Sequence, residues 1–405
     1  GLIRLMQKTE FRMALAVLFG FASVLLAAPS VIAWLRAKKI GDLAQSNHRD
    51  LDALTQEKSG TPTMGGILIV GALMLSVLLF ADLRESLVHF AMATTLFLAL
   101  LGGFDDWLKL TAGKREGSRD GLRMWEKLLF QVGLSVLMGI FLHRHFGSGA
   151  AALVGLEGDI EQPTALVLNL PFFRTWIPGS SNLSESVILL PQIAFIILAI
   201  MMVAGTSNAV NLTDGMDGLA PGLTVVVTVA MMLPCWIAGQ VDLSQELLLP
   251  YVQGAEELLV PLGGLLGATL GFLWFNVNPA RVFMGDTGAL AIGGLLGFVA
   301  LAIRQELLFV LIAGVFFLNM ASVILQVGSF RLRKGRRIFR CAPVHHHFRL
   351  GGWSEVQVVT RFWIVGVVLA TVALLPRFWS WQGVVAFGVL YWATVLGVTL
   401  GLHRL

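Results

Sequence analysis

Apolar runs of about twenty residues, separated by short polar connectors, repeat from one end of the chain to the other. A helix needs about 20 mostly apolar residues to cross the hydrocarbon core of a bilayer. The pattern therefore predicts ten or eleven spanning helices, at 13–35, 64–81, 87–107, 125–143, 186–204, 219–238, 256–275, 288–303, 307–328, 360–376 and 383–402. The 288–303 run is short and carries Gly288, Gly293, Gly294 and Gly297, a composition that predicts close packing against other helices instead of contact with lipid. The expected fold class is an all-α polytopic integral membrane protein, one transmembrane domain over 1–405 with its core at 13–376 and an additional C-terminal helix within 377–405.

The connectors divide into two sets. One holds Arg36, Lys38, Lys39, Arg49 and Lys58, then Lys109, Lys114, Arg115, Arg119, Arg123 and Lys127, then the basic run from Arg331 to Arg349. By the positive-inside bias these loops face the cytoplasm. The other set, including 145–185 and 240–254, is poor in Lys and Arg and is placed outside. This alternation puts the N-terminus outside; Arg4, Lys8 and Arg12 argue mildly the other way, which a segment lying in the interface would reconcile. Nothing before residue 13 resembles a cleavable signal, and Gly1 in place of an initiator methionine reads as a trimmed chain. No repeat of fixed period is present, which counts against an inverted-repeat transporter.

Composition narrows the class. With 56% hydrophobic and 13% charged residues, against about 25% charged in soluble proteins, a soluble enzyme, a disordered tail and a secreted disulfide scaffold are excluded. Cys235 and Cys341 are isolated and receive no role. A net charge of +4 lies in the basic loops, and no nucleic-acid partner is expected.

Ionisable groups beside apolar spans are expensive and are functional candidates by default. Asp105 and Asp106 close the third predicted span, where adjacent carboxylates repel and the helix dipole is unfavourable, so a divalent cation or Lys109 should compensate them. Asn208, Asn211, Asp214 and Asp217 recur at intervals of three and would share one side of a helix, with Gly215 and Gly218 allowing close approach or ending it. Asp286 precedes the Gly-rich helix, and two readings are open: a cap, or a Mg²⁺ ligand beside a free helix N-terminus. Phe283 offers a face for stacking a base. His345, His346 and His347 cannot all converge on one ion from a helix and fit hydrogen bonding to phosphates or sugar hydroxyls better, with a pH-dependent surface loop as the alternative. Lys58 and Thr63 open the second span, where Lys58 wants an anion. All five clusters fall on the cytoplasmic side of the assigned topology. Carboxylates for Mg²⁺, together with Lys and His for phosphates at a membrane surface, point to phosphoryl transfer from a soluble donor to a lipid acceptor.

These residues carry a resemblance. Asp105 to Lys109 (DDWLK), Asn208 to Gly218 (NAVNLTDGMDG), Phe272 to Asn276 (FLWFN), Phe283 to Gly288 (FMGDTG) and Pro343 to Phe348 (PVHHHF) are similar to the signatures of the bacterial phospho-N-acetylmuramoyl-pentapeptide transferase (MraY) family. The likeness runs from the GTPTMGG turn to the RFW run near Arg361. It implies ten helices with a cytoplasmic cleft in the bacterial inner membrane, a homodimer, and Mg²⁺-dependent transfer of phospho-MurNAc-pentapeptide from UDP-MurNAc-pentapeptide to undecaprenyl phosphate, giving lipid I and UMP. It also implies Asp286 as the Mg²⁺ ligand and Asp105 as the base, supported by Asp106. Lys58, Thr63, Asn208, Asp214, Asp217, Asn276, Phe283, Gln326, His345 and His346 would line the nucleotide-sugar site, Phe283 on uracil with Asp217 close by, and Lys109 and Lys127 would meet phosphates. The 109–127 and 240–254 loops look enlarged, and 383–402 is an extra span. The rivals are a sister enzyme using UDP-GlcNAc, which would lack the PVHHHF loop, and a transporter, whose charges should lie at mid-span; a purely structural scaffold leaves the acidic clusters unexplained.

Overall fold

The computed structural model describes residues 2–38, 60–112, 121–152, 166–169, 188–247 and 249–375. Helices form where the apolar runs lie: α1 Thr9–Ala37, α2 Gly66–Phe80, α3 Ser86–Ala112 and α4 Met124–Ala152, then α5 across Gln192–Thr213 with a π-turn at Ile200–Ala204. They continue as α6 Leu219–Ala238, α7 Leu259–Asn276, α8 Gly285–Ala302, α9 Gly314–Leu332 and α10 Glu355–Leu374. Among the described residues nine helices are long and apolar enough to span, and α2 is a shorter apolar tenth. The additional helix expected at 383–402 lies outside the described residues.

Several boundaries differ from the sequence reading; besides the extension of the 125–143 span to Ala152 and of the 186–204 span to Thr213, three bear on the architecture. The third span runs past 107 to Ala112, so Asp105 and Asp106 lie inside a helix and do not close it. The 186–204 span starts only at Gln192, with Pro191 extended at its N-cap, because Ile188–Leu189 pairs antiparallel with Val167–Leu168 in a small strand ladder. The 307–328 span is broken at Ala313 into Glu306–Ile312 and α9. At the same end of the bundle Arg12 is neutralised by Glu257 and is no obstacle to placing the N-terminus there.

Helix α8 occupies the centre: 94% of its spanning window is buried, against 28% for α1 and α9. It packs on α3, α5 and α2, while α7 packs on α1, α2 and α6. Absent side chains permit this. A Cβ at Gly297 would lie 2.2 Å from the Met202 carbonyl, and one at Gly66 would lie 2.2 Å from the Gly288 nitrogen. Because the ten helices alternate in direction, the ends of α1, α3, α5, α7 and α9 and the starts of α2, α4, α6, α8 and α10 meet at one end of the bundle. The motifs singled out above lie there as far as the described residues carry them.

Gly297→Ala is expected to destabilise the detergent-solubilised protein by about 1–3 kcal/mol through overpacking. Gly71→Ala, where a Cβ meets nothing within 4 Å, should leave the melting temperature unchanged or slightly raised. Equal melting temperatures for the two variants would refute the close-packing account.

Candidate active site

The site is built on the junction between α3 and α8. The first residues of a helix carry unsatisfied N–H groups with a partial positive charge. At α8 they are satisfied by Asp106, not by Asp286. Asp106 Oδ1 accepts from Asp286 N at 3.2 Å, and its Oδ2 accepts from Thr287 N at 3.0 Å and Thr287 Oγ1 at 2.7 Å. Gly102, one turn earlier on α3, permits the approach, since a Cβ there would be 2.2 Å from the Asp286 carbonyl. Gly285 enters α8 with φ +75° and would place a Cβ 2.8 Å from Asp106 Oδ2, so both its backbone angle and its lack of a side chain are required.

Adjacent in sequence, Asp105 points elsewhere, which removes the repulsion expected between the pair. Its Oδ1 accepts from Leu122 N at 2.6 Å, and its Oδ2 from Lys109 Nζ at 2.8 Å and Lys127 Nζ at 2.7 Å. The same ammonium groups reach Asp286 Oδ2, Lys109 at 3.1 Å and Lys127 at 2.7 Å. Lys109 is thus the i,i+4 partner its spacing predicts, and Lys127 reaches over from α4. Asp105 is fully buried, whereas the Lys109 side chain is 46% exposed. The cluster is a buried carboxylate pair with two cations on its open side.

Asp214 faces the same junction. Helix α5 ends at Thr213, so Asp214 lies at its C-cap and Asp217 in the following turn; the single polar stripe from Asn208 to Asp217 does not form. Burial, with Asp286 and Asp106 nearby, pushes the Asp214 carboxyl up to about 8, although Gly285 N–H bonds to it. Only oxygen donors of the hard type meet here, the chemistry suited to Mg²⁺. Among the described residues no three His, Cys, Asp or Glu side chains are placed to hold a metal by themselves. A Mg²⁺ shared between one or two carboxylates and a phosphorylated substrate is compatible with that set, and the raised Asp214 carboxyl follows first from its burial and then from the neighbouring carboxylates.

The other expected residues divide by what their side chains touch. Asn208 Nδ2 donates to Gln131 Oε1 at 2.7 Å, beneath the lysines. Thr63 and Phe283 are half-buried beside the junction, where Phe283 N donates to Pro62 O. Asn276 and Asp217 hold loops: Asn276 bridges Gly218 N and Val282 O, and Asp217 Oδ2 accepts from Asn278 Nδ2 and Ala280 N. Gln326 pins 338–339, accepting from Ile338 N and Phe339 N and donating to Phe339 O. His345 is buried, with its Nδ1 on Asn319, and the His346 ring lies tilted against it, 4.2 Å between ring centroids. Lys58 lies outside the described residues. Sequence reasoning passed over Thr287, Gln131 and Asn319; the last two are uncharged polar residues inside apolar spans, a signal that a search for ionisable groups alone does not register.

This arrangement, a polytopic helical bundle with acidic and basic groups gathered at one end, is that of a membrane-embedded transferase. Residues 88–304 match the sequence model of glycosyl transferase family 4, and residues 58–70 match phospho-N-acetylmuramoyl-pentapeptide-transferase signature 1. A phospho-N-acetylmuramoyl-pentapeptide-transferase of Desulfotalea psychrophila is 39% identical over 359 residues, 89% of this chain and 90% of that one. Its counterpart in Thermodesulfovibrio yellowstonii is 38% identical over 365 residues, 90% of this chain and 92% of that one. The chain belongs to the phospho-N-acetylmuramoyl-pentapeptide-transferase family.

Two measurements check the geometry. If Asp106 acts as the cap of α8, Asp106→Asn should retain measurable activity and most of the stability, while Asp106→Ala should lose about 1 kcal/mol or more together with turnover; equal loss in both would favour a proton-transfer role. The native state holds the Asp214 proton to about pH 8, whereas the unfolded chain releases it near the ordinary 3.8. The native fold is therefore favoured below the lower value and loses that advantage as pH rises toward the upper. Without divalent cations, the melting temperature of Asp214→Asn minus that of the parent should grow between about pH 4 and 8; a flat difference would contradict the shift.

Proposed function

We propose that the chain transfers phospho-MurNAc-pentapeptide from UDP-MurNAc-pentapeptide to undecaprenyl phosphate, giving lipid I and UMP in peptidoglycan biosynthesis. The observation that carries this reading is the convergence of Asp105, Asp286, Lys109 and Lys127 on one spot, at the bundle end that bears the signature turn and the PVHHHF segment.

Two phosphate-bearing reactants repel one another, so the principal task is charge neutralisation. Lys109 and Lys127 perform it. Both are shared between two carboxylates, so each can move onto an incoming phosphate without leaving the other carboxylate wholly unpaired. That exchange also loosens the hold on Asp105, which accepts from Leu122 N, Lys109 and Lys127, and so makes its Oδ2 a better acceptor for a proton from the lipid phosphate. Asp106 acts through the backbone: it fixes the first turn of α8 and thereby the position of Asp286. Asp286, with Asp214 nearby, would hold Mg²⁺, which when bound supplies further positive charge at the phosphate oxygens. Phe283 would stack on uracil, with Thr63 and Asn208 lining the same site; Lys58, outside the described residues, is assigned to it by its motif alone. Asp217, Asn276 and Gln326 support that site by holding its loops.

The reading includes a homodimer in the bacterial cytoplasmic membrane with the site facing the cytoplasm. The side is supported by Arg36, Lys38, Arg123 and the basic run from Arg331 to Arg349, all at the site end, where the positive-inside bias places the cytoplasm.

Purified protein with undecaprenyl phosphate and Mg²⁺ should release UMP from UDP-MurNAc-pentapeptide and not from UDP-GlcNAc, and Asp286→Ala should abolish release while remaining folded. Release from UDP-GlcNAc alone would select the sister reaction, and wild-type rates in Asp286→Ala would remove it from the metal role. In sealed vesicles, only inverted ones should use the impermeant donor; activity confined to right-side-out vesicles would reverse the topology.

A further inference from the structure

The short helix Val344–Arg349 is fastened to α9 by a chain of hydrogen bonds. Val344 N donates to Ser322 Oγ at 2.9 Å, and Ser322 Oγ donates to the Asn319 carbonyl at 2.6 Å. Beside this chain the fully buried His345 ring places Nδ1 3.0 Å from Asn319 Oδ1. Which atom holds the proton follows from the far end of the amide. Asn319 Nδ2 donates to the Val315 carbonyl at 3.1 Å. Reversing the amide would set two acceptors against each other at that distance, so the oxygen faces the histidine. An amide oxygen only accepts, and Nδ1 must therefore carry the hydrogen.

The opposite nitrogen is the informative one. His345 Nε2 is buried and has no hydrogen-bond partner among the described residues. It is directed at Gly215, where a Cβ would lie 2.6 Å from it; His346 Nε2 would lie 3.3 Å from the same Cβ. Gly215 follows Asp214 at the site junction and is itself exposed, so a backbone without a side chain is what stands between the buried Nε2 and the substrate side. Burial and the neighbouring His346 hold His345 ionisation well below its ordinary range, which leaves the ring neutral at physiological pH.

We propose that Asn319 is a positioning residue that locks His345 in its Nδ1–H tautomer, so that Nε2 meets the nucleotide-sugar substrate as a bare acceptor for a hydroxyl or amide N–H group, and not as a donor to phosphate. This deepens the function proposed above and rests on it for the identity of the ligand. Of the two partners the sequence leaves open for the histidines, phosphates or sugar hydroxyls, it excludes phosphate for His345 and gives it a role in selectivity: a buried acceptor discriminates against any analogue that lacks the matching donor. It also explains why an amide stands in the apolar face of α9, where a carboxylate would favour the charged ring.

The test is nitrogen NMR of the full-length protein labelled with ¹⁵N-histidine in detergent, with the His345 signals assigned by their loss in His345→Gln. The expected spectrum has a protonated Nδ1 and an unprotonated Nε2. A proton on Nε2, alone or together with Nδ1, overturns the proposal whether or not the enzyme turns over. Adding UMP and then UDP-MurNAc-pentapeptide distinguishes the donor's source. A shift of Nε2 with UMP places it on the uridine part, a shift only with the full donor places it on the sugar or peptide, and no shift with either overturns the acceptor role. In Asn319→Leu the tautomer preference should be lost and kcat/KM should fall about tenfold, while Asn319→Asp should keep Nδ1 protonated and move the ring toward the doubly protonated form. An unchanged His345 spectrum in both variants would show that Asn319 only packs. Should Asn319→Leu fail to fold, the parent spectrum still decides the tautomer. Absence of turnover with a muramyl donor would refute the proposed function and leave the tautomer result standing.

Discussion

The first turn of α8 seated on the Asp106 carboxylate is the contact from which the rest of the site follows. A carboxylate at the positive end of a central, almost wholly buried helix satisfies N–H groups that no water can reach. Because Asp106 and Asp105 are consecutive on one helix, fixing the first fixes the second. Asp105 is thereby turned toward α4 and its lysine, and Asp286 is brought to the same two ammonium groups. Gly102 and Gly285 are small because this docking leaves no room at either backbone.

Charge explains the second layer. Asp105 and Asp286 share two lysines, while Asp214 lies beside them, where burial first and then the neighbouring Asp286 and Asp106 raise its ionisation. The lysines are placed where they lose one partner and gain another without being stripped of both.

Around this centre, several motif residues serve the backbone more than the open site. Asn276, Asp217 and Gln326 spend their polar atoms on loop N–H and carbonyl groups, and Asn319 spends its own on a histidine and a carbonyl. Residues that hold a loop in place are as strongly constrained by geometry as those that touch a ligand, and a motif does not separate the two roles.

The sequence by itself determined that apolar helices long enough to span recur along the chain and that the polar motifs gather at one end, because hydrophobic length and charge bias are local quantities that need no partner to be read. It also determined the Lys109 to Asp105 pairing, since four residues on a helix are one turn. Only the tertiary structure decided that Asp106, and not Asp286, caps α8, across a separation of 180 residues. The same holds for the reach of Lys127 to both carboxylates, for Asp217 leaving the stripe predicted with Asn208, and for Asn319 choosing the proton position on His345. Each of these depends on which helices approach within hydrogen-bonding distance. That distance is set by glycine-lined packing between segments far apart in the chain, to which the periodicity of any one segment is blind.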